Sequence, residues 1–250
     1  MKLFVIVLCL LSERYLVHSL SHRRFNWFPA FFAGISERLG RSEPSHFNQA
    51  LILALVVLIP IVIVWLIFYL LGSLFFGFIA FLLNLVIFYY CLGPQNPFYP
   101  VRDEAEENNE VVVSDYFAKV NGELFAVIFW YILLGPLGVL FYRLVSLCRE
   151  QLLTSQLAQV MTNILDWVPA RLSVLLYLLV GNFQRGIHFL GRMFLASPEK
   201  NSLLLGEGGL LAARTTADES ISMPQAEHLV EQALIVLLVF LALFTLISWL

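Results

Sequence analysis

Long apolar runs separated by shorter polar stretches dominate the chain. Residues 49–71 and 74–92 are two such runs, each close to the length of about 20 apolar residues with which a helix crosses the hydrocarbon core of a bilayer. Only a tight turn fits between them. A third run covers residues 124–147, and a terminal run covers residues 229–250. The pattern therefore predicts a protein built from membrane helices.

Other stretches predict elements that do not simply cross a membrane. Residues 3–20 begin with an apolar run that is too short to span and soon meets Glu13, which predicts an interfacial or re-entrant helix. In the third apolar run Pro136 follows a glycine, so this helix is either kinked there or turns back. Residues 152–168 place apolar side chains on one face at helical spacing, which predicts an amphipathic helix on the membrane surface or against the bundle.

These patterns predict an all-α, polytopic integral membrane protein with a broken or re-entrant helix and an amphipathic surface helix. The predicted segments are an N-terminal interfacial helix with a basic segment (1–48), a transmembrane hairpin (49–92), an acidic polar loop (93–123), an interrupted span with the amphipathic helix and the helix after it (124–195), a flexible linker (196–228) and a C-terminal transmembrane helix (229–250).

Composition supports the membrane class. Of the 250 residues 60% are hydrophobic and 13% are charged, whereas a water-soluble domain carries about 25% charged residues. Lipid is therefore the predicted partner of the apolar surface. The net charge of −3, without a basic stripe, gives no indication of nucleic-acid binding. Cys9, Cys91 and Cys148 lie far apart in apolar settings, which predicts buried free thiols rather than disulfides or a metal site.

The candidate functional residues are charged side chains beside apolar segments. Arg143 and Arg171 are expensive in such places, and each predicts an anionic ligand, an ion pair or a side chain that reaches lipid phosphate. Asp166 and Arg171 flank Pro169, at the junction of two helices, which favours a buried pair between them. No arrangement of nucleophile and base stands out, so the sequence predicts no catalytic residue, metal or cofactor.

Three further patterns admit a chemical interpretation that competes with a simpler one. His18 and His22 share a helix face and could bind a metal with Glu13, although an interfacial helix is favoured. The glycines around Gly206 lack the lysine of a phosphate loop and favour a linker. The acidic loop could hold a cation or dock a soluble protein partner, but a solvated charge run is favoured.

Two stretches carry a family resemblance. The first reads NGELFAVIFW at residues 121–130 and continues through LGPLG at 134–138 to YRL at 142–144. The second reads ILDWVPARL at residues 164–172. Both resemble the AmpE family, within the wider CobD/CbiB superfamily of integral membrane proteins, and the order of the predicted segments fits that family.

The resemblance implies two different functions for two branches. The CobD/CbiB branch contains ATP-dependent synthases that form an amide bond in cobalamin assembly, whereas AmpE-like proteins are bacterial inner-membrane regulators linked to β-lactamase induction and cell-wall recycling. The synthases carry an acidic element before the FW segment, of which only Asn121 and Glu123 remain here. After the YR pair, Ser146 to Arg149 replace an Asn-x-x-Asp element. Because such acidic residues hold magnesium, their loss favours the regulatory branch.

We therefore expect an inner-membrane regulator that senses the cell envelope, and we do not expect an enzyme. A divergent synthase and a membrane scaffold that docks a soluble partner through its acidic loop are the alternatives. The residues expected to bind a ligand or to hold the fold, with the arginines meeting an anionic small molecule, are Arg143, Asp166, Trp167, Arg171, Asn121 and Glu13.

Overall fold

A computed structural model describes residues 2–15, 24–38, 46–72, 77–93, 110–214 and 220–247. Every regular element in these ranges is helical, which confirms the predicted all-α class. In chain order the α-helices are α1 (Lys2–Tyr15), α2 (Phe28–Arg38), α3 (His46–Leu71), α4 (Phe78–Cys91), α5 (Glu110–Val120), α6 (Ala126–Leu147), α7 (Ser155–Leu165), α8 (Trp167–Val180), α9 (Phe183–Met193), α10 (Asn201–Ala213) and α11 (Met223–Ile247). A π-helix (Asn121–Phe125) joins α5 to α6, and short 3-10 helices cover Cys148–Glu150 and Pro198–Lys200.

The chain forms two compact units, and neither is a continuous segment of sequence. One consists of Met1–Gln95 and Val127–Leu165, and the other of Asn96–Ala126 and Asp166–Leu250. In the first unit α1 packs against α4 and α2 packs against α3. Ile6 and Phe88 are fully buried there, and the rings of Phe88 and Tyr131 lie 4.6 Å apart.

The second unit is built around α10, which packs against α5 and α8. Its glycines allow this close approach, because a Cβ atom on Gly208 would lie 2.6 Å from Val174 and one on Gly209 would overlap the ring of Phe117. The first half of α11 also packs on α8, and the Phe117 and Tyr177 rings meet at 5.2 Å in the core.

Three helical stretches in the described residues are long and apolar enough to cross a membrane, namely Phe47–Leu71, Glu110–Glu150 and Met223–Ile247. The pair α7 and α8, bent by 50° at Asp166, would add a fourth if it forms one broken span. Large apolar side chains are exposed along most of α3 and along the second half of α11. This is the architecture of a multi-pass membrane protein, with lipid covering the apolar surfaces.

Two sequence features produce the predicted irregular elements. Gly135 has φ 73° and ψ −156°, so α6 is kinked at the glycine that precedes Pro136. Along α7 the buried stripe consists of Ala158 and Thr162, whereas Val160 and Ile164 are exposed. Small side chains that face a neighbouring helix are typical of packing in membranes, so the apolar face of this amphipathic helix is left for lipid.

Several predicted boundaries are wrong. The second predicted span, 74–92, contains the 14-residue α4, about 21 Å of helix and too short for a full crossing. The polar loop 93–123 is helical from Glu110 onward, because Val113, Phe117 and Val120 recur at helical spacing and are buried. The flexible linker 196–228 contains the buried helix α10, and the basic segment before residue 48 contains α2.

Other predictions fall on residues that the structure leaves undescribed. These include the histidines His18 and His22, most of the turn after Gly72, and the acidic stretch 94–109, where a cation or a soluble partner was considered.

Candidate functional site

Buried charge in the first unit gathers at the C-terminal end of α4. The Arg24 guanidinium donates from Nη2 to the Glu13 carboxylate at 2.5 Å, and from Nη1 to the backbone oxygens of Tyr89 and Leu92 at 3.1 and 3.4 Å. Arg143 donates from Nε to the Cys91 oxygen at 2.8 Å. The last carbonyls of a helix lack intrahelical donors and carry partial negative charge, so cations stabilise this end. We call Glu13, Arg24, Tyr89 and Arg143 the arginine cluster.

Both arginines of the cluster are removed from solvent. Arg143 is 3% exposed and Arg24 is 7% exposed, and Glu13 is also buried. The Arg24 guanidinium lies 4.3 Å from the centre of the Tyr89 ring, which is a cation–π contact. Two buried cations thus meet one carboxylate among the described residues.

An aromatic pair borders the same helix end. The indole of Trp27, which is 41% exposed, donates to the Tyr90 hydroxyl at 2.5 Å, and that hydroxyl donates to the backbone oxygen of Arg24. Trp and Tyr with one apolar side and one hydrogen-bonding tip are enriched at the headgroup level of membranes.

Arg171, in the ILDWVPARL motif, connects segments of the second unit through hydrogen bonds. Its guanidinium donates to the backbone oxygens of Trp167, Phe194 and Ala196 at 2.8 to 2.9 Å and to the side-chain oxygen of Asn201 at 2.6 Å. It also lies 4.4 Å from the centre of the Trp167 ring. These bonds tie α8 to the chain that connects α9 with α10.

The prediction that Arg171 forms a buried ion pair with Asp166 is wrong. Asp166 precedes the first turn of α8, whereas the Arg171 side chain extends toward residues 194–201, and its acceptors are all neutral oxygens. The helix begins at Trp167, two residues before Pro169. Trp167 has its own bond to this connection, from the indole to the Ala196 oxygen at 3.0 Å.

Asn121 lies in the second unit at the start of the π-helix. Its side-chain oxygen accepts a hydrogen bond from the Ser173 hydroxyl of α8 at 2.9 Å, and both residues are buried. Local π-helical turns are frequent at functional sites. Here the widened turn directs a buried amide at a neighbouring helix, so Asn121 fixes the packing of α5 and α8.

The structure therefore separates the six sequence-predicted residues. Glu13 and Arg143 lie at the arginine cluster, Trp167 and Arg171 lie together at the α8 junction with Asp166 before them, and Asn121 is bonded elsewhere in the second unit. Arg24 and Asn201 are central partners that the sequence did not single out. Arg24 lies in the predicted basic segment, and Asn201 lies in the predicted flexible linker.

A pocket of about 570 Å³ opens in the second unit between the ends of α8, α10 and α11. Amides and one imidazole dominate its polar lining, including Asn182, Gln225, His228 and Gln232. The side-chain nitrogens of His228 and Gln232 lie 2.8 Å apart, and Arg214 at the rim pairs with Glu110 at 2.7 Å. These residues are scattered over 50 positions, so sequence patterns gave no indication of this site.

The chain matches no protein-family model, no curated protein and no solved structure. The resemblance to the AmpE family therefore rests on the two motifs and the order of the predicted segments.

Proposed function

We propose that this chain is a regulatory protein of the bacterial inner membrane, similar to AmpE, which links the state of the cell envelope to β-lactamase induction. The observation that carries the proposal is the presence of both AmpE-like motifs without the acidic elements of the synthase branch. The bent helix pair and the apolar helices are compatible with such a membrane regulator.

The contacts of Arg143 and Arg171 support a structural role for these two motif residues rather than a role in synthase catalysis. Arg171 holds backbone carbonyls and an amide, and Arg143 holds the end of α4. Among the residues that the structure describes, neither is bonded to a group that could act as a nucleophile or a general base toward a substrate.

The regulatory proposal is tested in a host with an inducible β-lactamase from which the AmpE-like gene has been deleted. We expect that expression of this chain restores the wild-type response of β-lactamase activity to a β-lactam inducer. The Arg171→Ala variant should fail because its fold is weakened, and Arg185→Ala, at an exposed position of α9, should succeed. An induction response that is the same with and without the chain would count against the proposal.

One observation favours the alternative that the chain is a synthase. Arg143 Nη2 is buried and has no hydrogen-bond partner among the described residues, so it could donate to a phosphate oxygen of a substrate. A strain without its adenosylcobinamide-phosphate synthase, scored for cobalamin-dependent growth, distinguishes the two functions. An authentic synthase expressed at the same level in the membrane is the positive control. We expect no growth with this chain, and growth would replace the regulatory proposal with the enzymatic one.

A further inference from the structure

The arginine cluster holds more positive charge than its contacts neutralise. Arg24 and Arg143 are both cations, and Glu13 is the one carboxylate that pairs with either of them in the described part of the chain. The C-terminal end of α4 offsets roughly half a charge. Buried charges in proteins are normally paired, because removing an ion from water is costly. Among the described residues, the cluster therefore retains a positive charge without a matching anion.

The cluster also has hydrogen-bond donors without acceptors. Three buried polar atoms of the cluster have no hydrogen-bond partner in the described parts of the chain, namely Arg24 Nε, Arg143 Nη2 and the Tyr89 hydroxyl. All three residues are tied to the last turn of α4, Arg24 and Arg143 by the bonds given above and Tyr89 as a part of it. Each of the three groups can donate a hydrogen bond, and a buried donor without an acceptor destabilises the fold because its desolvation is not compensated.

We propose that the arginine cluster binds the phosphoryl group of a phosphodiester or a small phosphate. A phosphodiester carries one negative charge, which is enough to neutralise the remaining positive charge of the cluster, and its oxygens are acceptors for arginine and hydroxyl donors. Trp27 and Tyr90 border the site as residues do at the headgroup level of a bilayer. The phosphoryl group belongs either to a membrane phospholipid or to a soluble phosphate compound, and this binding is independent of the regulatory role proposed above.

The test uses the full-length protein, delipidated in detergent, and follows its melting temperature. The added probes are phosphatidylglycerol, inorganic phosphate, and a diacylglycerol with the same chains but no phosphate. We expect wild-type protein to be stabilised by a phosphate-bearing probe and not by diacylglycerol. Stabilisation by phosphatidylglycerol alone identifies the lipid headgroup as the source, and stabilisation by inorganic phosphate as well identifies a soluble ligand.

Variants connect the effect to the cluster. Arg143→Gln removes the charge and the unpartnered Nη2, and should weaken phosphoryl binding about tenfold or more, as expected for a lost hydrogen bond to a charged group. Tyr89→Phe removes one hydroxyl that has no hydrogen-bond partner among the described residues, so we expect this variant to fold even if Arg143→Gln does not. It should weaken binding severalfold. Arg185→Gln, exposed on α9, is the matched control and should bind as wild type does.

Two results would overturn the proposal. One is equal stabilisation of the wild type by diacylglycerol and by the phosphate-bearing probes, or no stabilisation by any of them. The other is unchanged phosphoryl binding in Tyr89→Phe together with unchanged binding in any folded Arg143→Gln protein.

Discussion

At the scale of single residues, Arg171 provides the sharpest expectation for stability. Arg171→Ala would leave the Asn201 side-chain oxygen and the backbone oxygens of Phe194 and Ala196 without this donor. Each buried acceptor that stays unsatisfied costs about 1–3 kcal/mol, and at this chain length 1 kcal/mol corresponds to roughly 2–4 °C in melting temperature. We therefore expect a clearly lower melting temperature in detergent for Arg171→Ala than for wild type.

The matched variants separate charge from geometry. Arg171→Lys keeps the charge but lacks the planar fork that reaches several acceptors, so its melting temperature should lie between those of wild type and Arg171→Ala. Arg185→Ala changes an exposed arginine and should melt like wild type. If Arg171→Ala and Arg185→Ala had the same melting temperature, Arg171 would have no structural role.

The cysteines give a second expectation at this scale. Cys9, Cys91 and Cys148 are all buried and free. Burial raises the pKa of the Cys9 thiol to about 12, so very little of it is the reactive thiolate at neutral pH. Intact mass measurements should show no maleimide adduct on the native protein at pH 7 and three adducts after denaturation in SDS. Lys200→Cys, at an exposed position, should add one rapid adduct to the native protein. Rapid labelling of the unsubstituted native protein would show that these thiols are accessible.

At the scale of helices, the sequence pattern predicted those helices whose apolar residues form a continuous run or recur at helical spacing. The amphipathic α7 and the apolar α3 follow their patterns, and the break before Pro136 becomes the kink at Gly135. α10 was missed because its Gly206-Glu207-Gly208-Gly209 sequence has low helix propensity and resembles a linker. The tertiary contacts that require these glycines lie on α5 and α8, far away in sequence, so a local pattern could not reveal them.

The glycines of α10 lead to an expectation about helix packing. A Cβ atom on Gly209 would overlap the buried ring of Phe117, so Gly209→Ala overpacks the contact between α10 and α5. Overpacking costs about 1–3 kcal/mol, against a gain of about 1 kcal/mol in helix propensity. We expect Gly209→Ala to lower the melting temperature in detergent and Phe117→Leu in the same chain to restore part of the loss.

Gly191 provides the matched control for this substitution. It lies in the exposed part of α9, and a Cβ atom there would meet nothing within 4 Å. Gly191→Ala should therefore leave the melting temperature unchanged or raise it slightly. A Gly209→Ala protein as stable as Gly191→Ala would mean that α10 does not approach α5 so closely.

At the scale of the whole molecule, composition was sufficient for the membrane class but not for the organisation of the chain. Runs of apolar residues reveal lipid exposure because each run is local in sequence. The two compact units each combine distant segments, and one of their boundaries falls at Asp166, in the middle of the predicted segment 124–195. The arginine cluster is missed for the same reason, since Arg24, Tyr89 and Arg143 come from three separate segments.

The membrane class itself can be tested through the apolar surfaces. Val62 on α3 and Phe244 on α11 are exposed in the folded chain, so lipid must cover them if these helices cross a bilayer. In permeabilised membranes a charged maleimide should react with Val62→Cys and Phe244→Cys at least about tenfold more slowly than with Lys200→Cys. If hydrocarbon raises the pKa of an introduced thiol by one unit, the fraction of reactive thiolate falls tenfold. The charged maleimide is also excluded from the hydrocarbon region. In SDS the introduced thiols should react at similar rates. Equal rates in membranes would show that water or another protein, rather than lipid, covers α3 and α11.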